Sequence, residues 1–272
     1  MPLVVCATPI GNLEDVTLRV LRALAEADAV LCEDTRRTRI LLNRHGIAAG
    51  ALVSLHEHNE SARLRELVPR LAAGETLALV SDAGLPGVSD PGTALVTAAL
   101  AAGVPVTVLP GASAVETALV ASGLLRDEYR FLGFLPRQEA ALRTLWDKSR
   151  AWPYALVAFE SPRRLPRALA ALADATPTRE VAVCRELTKR FEEVARGAAS
   201  DVAVRFAEPV KGEVTIVVAP ASGEPEPDDG AVEAVAELVA AGATRKTAVE
   251  VVARLVGTSR NRLYEESLDT RD

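Results

Sequence analysis

A carboxylate set in a loop of small residues is the first chemical feature of this chain. Leu77–Val80 reads as a buried strand, and Ser81-Asp-Ala-Gly-Leu-Pro-Gly-Val-Ser-Asp-Pro-Gly92 follows it. So little side-chain bulk lets backbone groups approach a ligand, and Asp82 offers an acceptor to an amine or a hydroxyl. A second step of the same design, Val106-Thr-Val-Leu-Pro-Gly-Ala-Ser-Ala114, gives another strand end that can flank the same ligand. Neither loop has the lysine of a Walker loop, and Thr8-Pro-Ile-Gly-Asn12 does not spell GxGxxG, so neither a triphosphate hydrolase nor a Rossmann dinucleotide site is expected. The pattern suits a small zwitterionic ligand. His56 and His58 alternate on a predicted strand end, a spacing that suits two metal ligands. No third ligand accompanies them, and no metal is expected. Cys6, Cys32 and Cys184 lie in apolar runs without ligand spacing and read as buried, reduced thiols.

Loops of this kind need strands that end side by side. Strands are predicted at Leu3–Ala7, Ala29–Cys32, 51–55, Leu77–Val80 and 106–109. Helices alternate with them: one capped by Asp15 with Val16, Val20, Leu21 and Leu24 as its apolar stripe, then 35–45, 60–73 and 113–122. Asp90-Pro91-Gly92 reads as an N-cap followed by proline at the first helical position. Such alternation predicts an α/β domain over residues 1–122, with a mostly parallel sheet covered on both faces. A second domain, 123–220, has predicted strands at 129–135, 154–159, 180–184, 191–196 and 213–218, with helices near 139–149, 163–174 and 199–206. Its consecutive strands imply antiparallel pairing and α+β character. Residues 221–230, rich in Pro, Gly and acid, read as a linker, and 231–272 as a helical region with helices at 231–241, 244–255 and 259–268. Gly257 between the last two gives a helix-turn-helix look that a plain helical hairpin explains equally well.

The 272 residues are 49% hydrophobic and 25% charged, the profile of a soluble globular protein. No stretch reaches the roughly 18 uninterrupted apolar residues of a spanning helix, and no leader pattern is seen, so a cytoplasmic protein without a membrane partner is expected. A net charge of -6 argues against coating nucleic acid with the whole surface. Local basic faces remain at Arg36, Arg37, Arg39 and Arg44, at Arg163, Arg164 and Arg167, and at Arg260 and Arg262, where solvated helix faces are the alternative reading. Aromatics at 4% leave little for base stacking.

Taken in order, the motifs are Thr8-Pro-Ile-Gly-Asn-Leu-Glu-Asp15, Glu33-Asp-Thr-Arg36, His56-Glu-His-Asn-Glu60, Ser81-Asp-Ala-Gly84 with Pro86, Asp90-Pro-Gly92 and Pro110-Gly111. Gly133-Phe-Leu-Pro136, Phe159-Glu-Ser-Pro162 with Arg164, Arg185-Glu-Leu-Thr-Lys189 and Lys211-Gly-Glu213 follow. Over nearly the whole chain this series resembles the RsmI family, the bacterial 16S ribosomal RNA cytidine 2'-O-methyltransferases of the tetrapyrrole-methylase-like class. Leu85, Gly87 and Ala112-Ser113 depart from the family pattern and keep its small-residue character.

The resemblance implies two α/β domains of tetrapyrrole methylase type with S-adenosylmethionine folded in the cleft between them. On that basis Asp82, Ala83, Gly84, Ser113 and Ala114 form the first-domain wall, with Pro9 near it, and Phe159, Glu160, Leu187 and Thr188 contribute from the second domain. Transfer to a ribose hydroxyl needs alignment and a proton acceptor more than a covalent nucleophile. Glu33, Asp34, Glu160 and Glu186 are the candidate bases, and capping of the helix after Asp34 is an equal reading of that residue. Arg36, Arg137, Arg163, Arg164 and Lys189 are candidates for phosphate contacts with 16S rRNA or the small ribosomal subunit. His56 and His58 then read as hydrogen-bonding groups toward the loop or the RNA. A homodimer is implied as well. Two rivals are kept: a methyltransferase of the same class acting on a tetrapyrrole or other small molecule, and a noncatalytic RNA-binding or assembly protein.

Overall fold

The computed structural model describes residues 2–221, 229–256 and 258–269. Most of the predicted linker and Gly257 lie outside the described residues. Five strands, β1 (Leu3–Cys6), β2 (Ala29–Cys32), β3 (Ala51–Ser54), β4 (Leu77–Val80) and β5 (Val106–Leu109), form a wholly parallel sheet in the order β3-β2-β4-β1-β5. Alternate residues face opposite sides. Leu3 and Val5 pack with Leu67 and Leu71 of α3 (Glu60–Ala72) and Leu95 of α4 (Thr93–Ala101). Val4 and Cys6 pack with Val20 and Leu24 of α1 (Leu18–Glu26) and with Leu41 and Leu42 of α2 (Thr35–Arg44). A parallel sheet covered on both faces brings all its strand ends, and hence its loops, to one edge.

Two local expectations change. Thr17, not Asp15, caps α1, its hydroxyl accepting the Val20 N–H at 3.2 Å. The N-cap of α4 is Gly92 at φ 124°, so Asp90 and Pro91 lie before the helix. The side chain that satisfies this helix start comes from a distance: Glu60 Oε1 accepts the N–H groups of Gly92 and Leu95, each at 3.1 Å. A carboxylate there also favours the positive end of the helix dipole.

The second sheet has the order β6-β7-β10-β8-β9, built from β6 (Tyr129–Phe134), β7 (Ala155–Glu160), β8 (Glu180–Arg185), β9 (Glu193–Ala198) and β10 (Val214–Val218). Only β6 and β7 run parallel. One face is covered by α6 (Glu139–Lys148), α7 (Leu165–Ala175) and α8 (Ala199–Arg205) through Trp146, Leu169 and Val202. The other receives α5 (Ala114–Ser122), whose Val115, Ala118 and Leu119 pack on Ala155, Val157, Ala182 and Val217. Thus the helix after the last strand of the first sheet buries itself on the second, joining the two lobes with a common core. Helices α9 (Asp229–Ala240), α10 (Arg245–Val256) and α11 (Arg260–Asp269) close on their own small core of Val235, Val249, Val252 and Leu263. Among the described residues, no helix is long and apolar enough to cross a membrane. All three cysteines are free and buried, and desolvation pushes the thiols of Cys6 to about 12 and Cys184 to about 11.

Candidate active site

The loops at the C-terminal edge of the first sheet are stitched together before they meet anything else. Thr8 N–H donates to Gly84 O at 2.8 Å and Gly84 N–H to Thr8 O at 3.0 Å, while the Thr8 hydroxyl donates to Ser81 O at 3.0 Å. The loop after β4 is therefore held against the loop after β1. Between these loops and the end of the second sheet lies a cavity of about 610 Å³. A smaller one of about 270 Å³ adjoins it, and Ile10, Arg37, Asp82, Ala83 and Glu213 line both. The larger volume lies within the roughly 300–1,000 Å³ range of small-molecule sites.

The structure brings most of the expected donor residues to this cavity. Asp82, Ala83, Gly84, Ser113, Ala114, Phe159, Glu160 and Leu187 line it, and Pro9 lines the smaller compartment. Thr188 lines neither. Its hydroxyl accepts the Asn12 N–H at 3.0 Å, so it ties the first lobe to the second. Gly11 sits in the same joint, where an added Cβ would stand 2.8 Å from Leu187 O and 2.7 Å from Thr188 Oγ1.

The four candidate bases fare differently. Asp34 caps α2, accepting the Arg36 N–H at 2.8 Å, and grips the Arg36 guanidinium, which together pull its carboxyl down to about 2. Glu160 is buried, its side chain 1% exposed, ion-paired to Arg164 and accepting the Ser161 N–H at 2.6 Å. Burial nevertheless pushes it up from the usual carboxylate range. Glu186 pairs with Lys189 at 2.9 Å and accepts the Glu213 N–H at 3.0 Å, which hold it low. Glu33 has no ion-pair partner within 4.0 Å among the described residues, and burial with the Asp82 charge nearby raises it, but it lines neither cavity.

Among the basic candidates, Lys189 is held between Glu186 and Glu213, and Arg164 is spent on Glu160 and on Leu135 O. Arg36 (86% exposed side chain), Arg137 and Arg163 are open to solvent. Among the charged lining residues missing from the expected set, Arg37 and Asp90 stand out beside Glu116 and Glu213. Arg37 overhangs both compartments and pairs with Asp82 at 3.5 Å, and Asp90, read from sequence as a cap, lines the large cavity. Helical spacing is the signal that could mark Arg37, since it lies three and four residues before Ile40 and Leu41, both of which line the small compartment. His56 and His58 fall in the loop beyond β3, not on the strand, with their rings edge to face at 6.0 Å. No group of three or more potential metal ligands occurs among the described residues.

Two covered α/β lobes with one cleft at the loop edge define a class that similarity makes explicit. Residues 2–203 match the tetrapyrrole (corrin/porphyrin) methylases. The solved methyltransferase CobJ superposes with a TM-score of 0.63 over 80% of this chain and 94% of its own, at 22% identity, which speaks to fold alone. Two curated relatives carry the name ribosomal RNA small subunit methyltransferase I. That of Halalkalibacterium halodurans is 42% identical over 95% of this chain and 91% of the relative, and that of Micromonospora olivasterospora 44% identical over 95% and 84%. Within the tetrapyrrole methylase class, the chain belongs to the ribosomal RNA small subunit methyltransferase I family.

Proposed function

We propose that this protein transfers the methyl group of S-adenosylmethionine to the 2'-hydroxyl of a cytidine in 16S ribosomal RNA. The observation that carries the reading is the shared cleft. One cavity large enough for the donor, walled by the small-residue loops of the first lobe and by Phe159, Glu160 and Leu187 of the second, occurs in a chain aligned nearly end to end with small-subunit RNA methyltransferases. The residues fit such a donor: Ala83, Gly84, Ala112 and Ala114 allow close backbone approach, Phe131, Phe159 and Leu187 supply apolar surface, and Asp82 faces the cavity with an acceptor. The donor supplies an electrophilic methyl group. The protein orients the acceptor, excludes water and takes a proton, which is where most of the catalytic advantage of a displacement lies. Arg36, which holds Asp34 yet stays largely exposed, supplies phosphate contacts together with the solvent-facing Arg137 and Arg163, whereas the more buried Arg164 and Lys189 shape the site. The protein works in the cytoplasm as a homodimer.

Calorimetry and RNA binding on two variants test this division. Asp82→Ala removes a charged acceptor and is expected to weaken S-adenosylmethionine binding about 10- to 100-fold, the worth of one hydrogen bond to a charged group. Arg36→Ala is expected to leave the donor constant within twofold, to weaken 16S RNA binding severalfold and to reduce its logarithmic salt slope by about 1. Equal losses of both ligands in both variants contradict the assignment. Methylation of a precorrin in place of small-subunit RNA favours the small-molecule reading.

A further inference from the structure

Five carboxylates line the large cavity: Asp82, Asp90, Glu116, Glu160 and Glu213. Four are committed. Asp82 pairs with Arg37 and accepts the Asp34 N–H at 3.1 Å. Glu116 accepts the hydroxyls of Ser113 and Tyr129, Glu160 holds Arg164, and Glu213 holds Lys189 at 2.9 Å. Asp90 has no cation within 4.0 Å among the described residues, and Glu60 has taken over the helix-capping duty that its position in sequence suggests. It is held in place from below by Glu60, which fixes Gly92 two residues on, while the Ser81 hydroxyl donates to Ala83 O at 3.3 Å and Gly84 O at 3.2 Å within the same loop.

We propose that Asp90 is the catalytic base that accepts the proton of the ribose 2'-hydroxyl. The proposal rests on the ribose-methylation reading above. The hydroxyl oxygen forms the new O–CH3 bond as the S–CH3 bond of the donor breaks, and that bond's electron pair stays on sulfur. The proton passes to the Asp90 carboxylate and from there to water. The charges of Glu33 at the end of β2 and Asp82 at the end of β4 act on Asp90. Arg37 from α2 is drawn toward Asp82, His56 beyond β3 lies on the Glu33 side, and Glu60 from α3 is spent on backbone N–H groups. Burial first, and then the charges of Glu33 and Asp82, push the Asp90 carboxyl up to about 6. A base so placed is ionised at neutral pH and is a better proton acceptor than an ordinary aspartate, which is where acid-base catalysis is most efficient.

The test is single-turnover ribose methylation of small-subunit particles against pH, with donor binding measured in parallel. In the wild type the rate constant should rise about tenfold per pH unit up to about pH 6 and then level, because the base must lose its proton. Asp90→Asn should lower the plateau about 10²- to 10⁴-fold, abolish the acid limb and leave donor affinity within threefold. Glu33→Gln, which keeps Asp90 but removes a nearby negative charge, should move the limb to lower pH. A carbon NMR titration of the resting protein should show one carboxyl titrating near pH 6 that is missing in Asp90→Asn. Asp90→Asn within fivefold of wild type, an acid limb surviving in it, or loss of activity in Glu33→Gln alone overturns the proposal. A wild type that places no methyl on ribose overturns the underlying reading instead, and the NMR titration then decides separately whether Asp90 is the raised carboxyl.

Discussion

Arg164→Ala destabilises the protein by about 3–5 kcal/mol near neutral pH, the cost of stranding a buried charge. Glu160 sits at the end of β7 with its side chain 1% exposed, and Arg164 is its cationic partner. Its remaining support is the Ser161 N–H at 2.6 Å. Burial already raises its carboxyl, and removal of the guanidinium raises it further. The sign follows from linkage. A carboxyl whose folded pKa exceeds its unfolded value binds more protons when folded, so its contribution to stability is full below the unfolded value and is lost as pH rises through the folded one. Urea unfolding should therefore show the variant's deficit growing as pH rises above the usual carboxylate range. The double change Glu160→Gln with Arg164→Met should recover much of the loss, because it removes both charges at similar volume. A single variant within 1 kcal/mol of wild type at pH 8 contradicts this account of the pair.

Gly11→Ala acts on the joint between lobes, and its main effect is on rate. The new Cβ would meet Lys189 Cγ at 2.5 Å, which a flexible side chain can yield, but also Leu187 O at 2.8 Å, which belongs to the backbone. The lobes must part there, straining the 3.0 Å hydrogen bond from Asn12 N–H to Thr188 and shifting Leu187 in the cavity wall. Overpacking of this kind costs about 1–3 kcal/mol. A displacement near 1 Å between reacting groups costs about 10²-fold in rate. Single-turnover kinetics should show that loss, with thermal unfolding reporting the smaller penalty. Rates within twofold of wild type mean that the cleft does not depend on this contact.

Periodicity and turn chemistry carried the chain to its two sheets, because apolar runs such as Leu3–Cys6 and Val214–Val218 form buried strands whose faces are filled by helical stripes. The loops at the strand ends were legible for the same reason, and most of the residues singled out there do line one cavity. Side-chain partnerships across the fold were not legible. Asp90-Pro91-Gly92 has the local pattern of a cap, yet the cap is Glu60, 32 residues earlier, which freed Asp90 for the cavity. Lys189 and Arg164 stand beside motifs and read as phosphate contacts, but each meets a carboxylate three or four residues away, and Lys189 also meets Glu213, the residue before β10. Of two adjacent arginines, only the helix orientation settles that Arg37 overhangs the cavity while Arg36 turns outward to grip Asp34.

Ribose methylation of small-subunit RNA is the role proposed for the cleft. The most direct measurement incubates the purified protein with S-adenosylmethionine labelled in its methyl group and unmethylated small ribosomal subunits, then digests the 16S RNA to nucleosides. Label is expected in 2'-O-methylcytidine, approaching one methyl per particle, with initial labelling about 10- to 100-fold slower in Asp82→Ala at limiting donor. Label in a base-methylated nucleoside, or no label in RNA from a protein that binds the donor, contradicts that role.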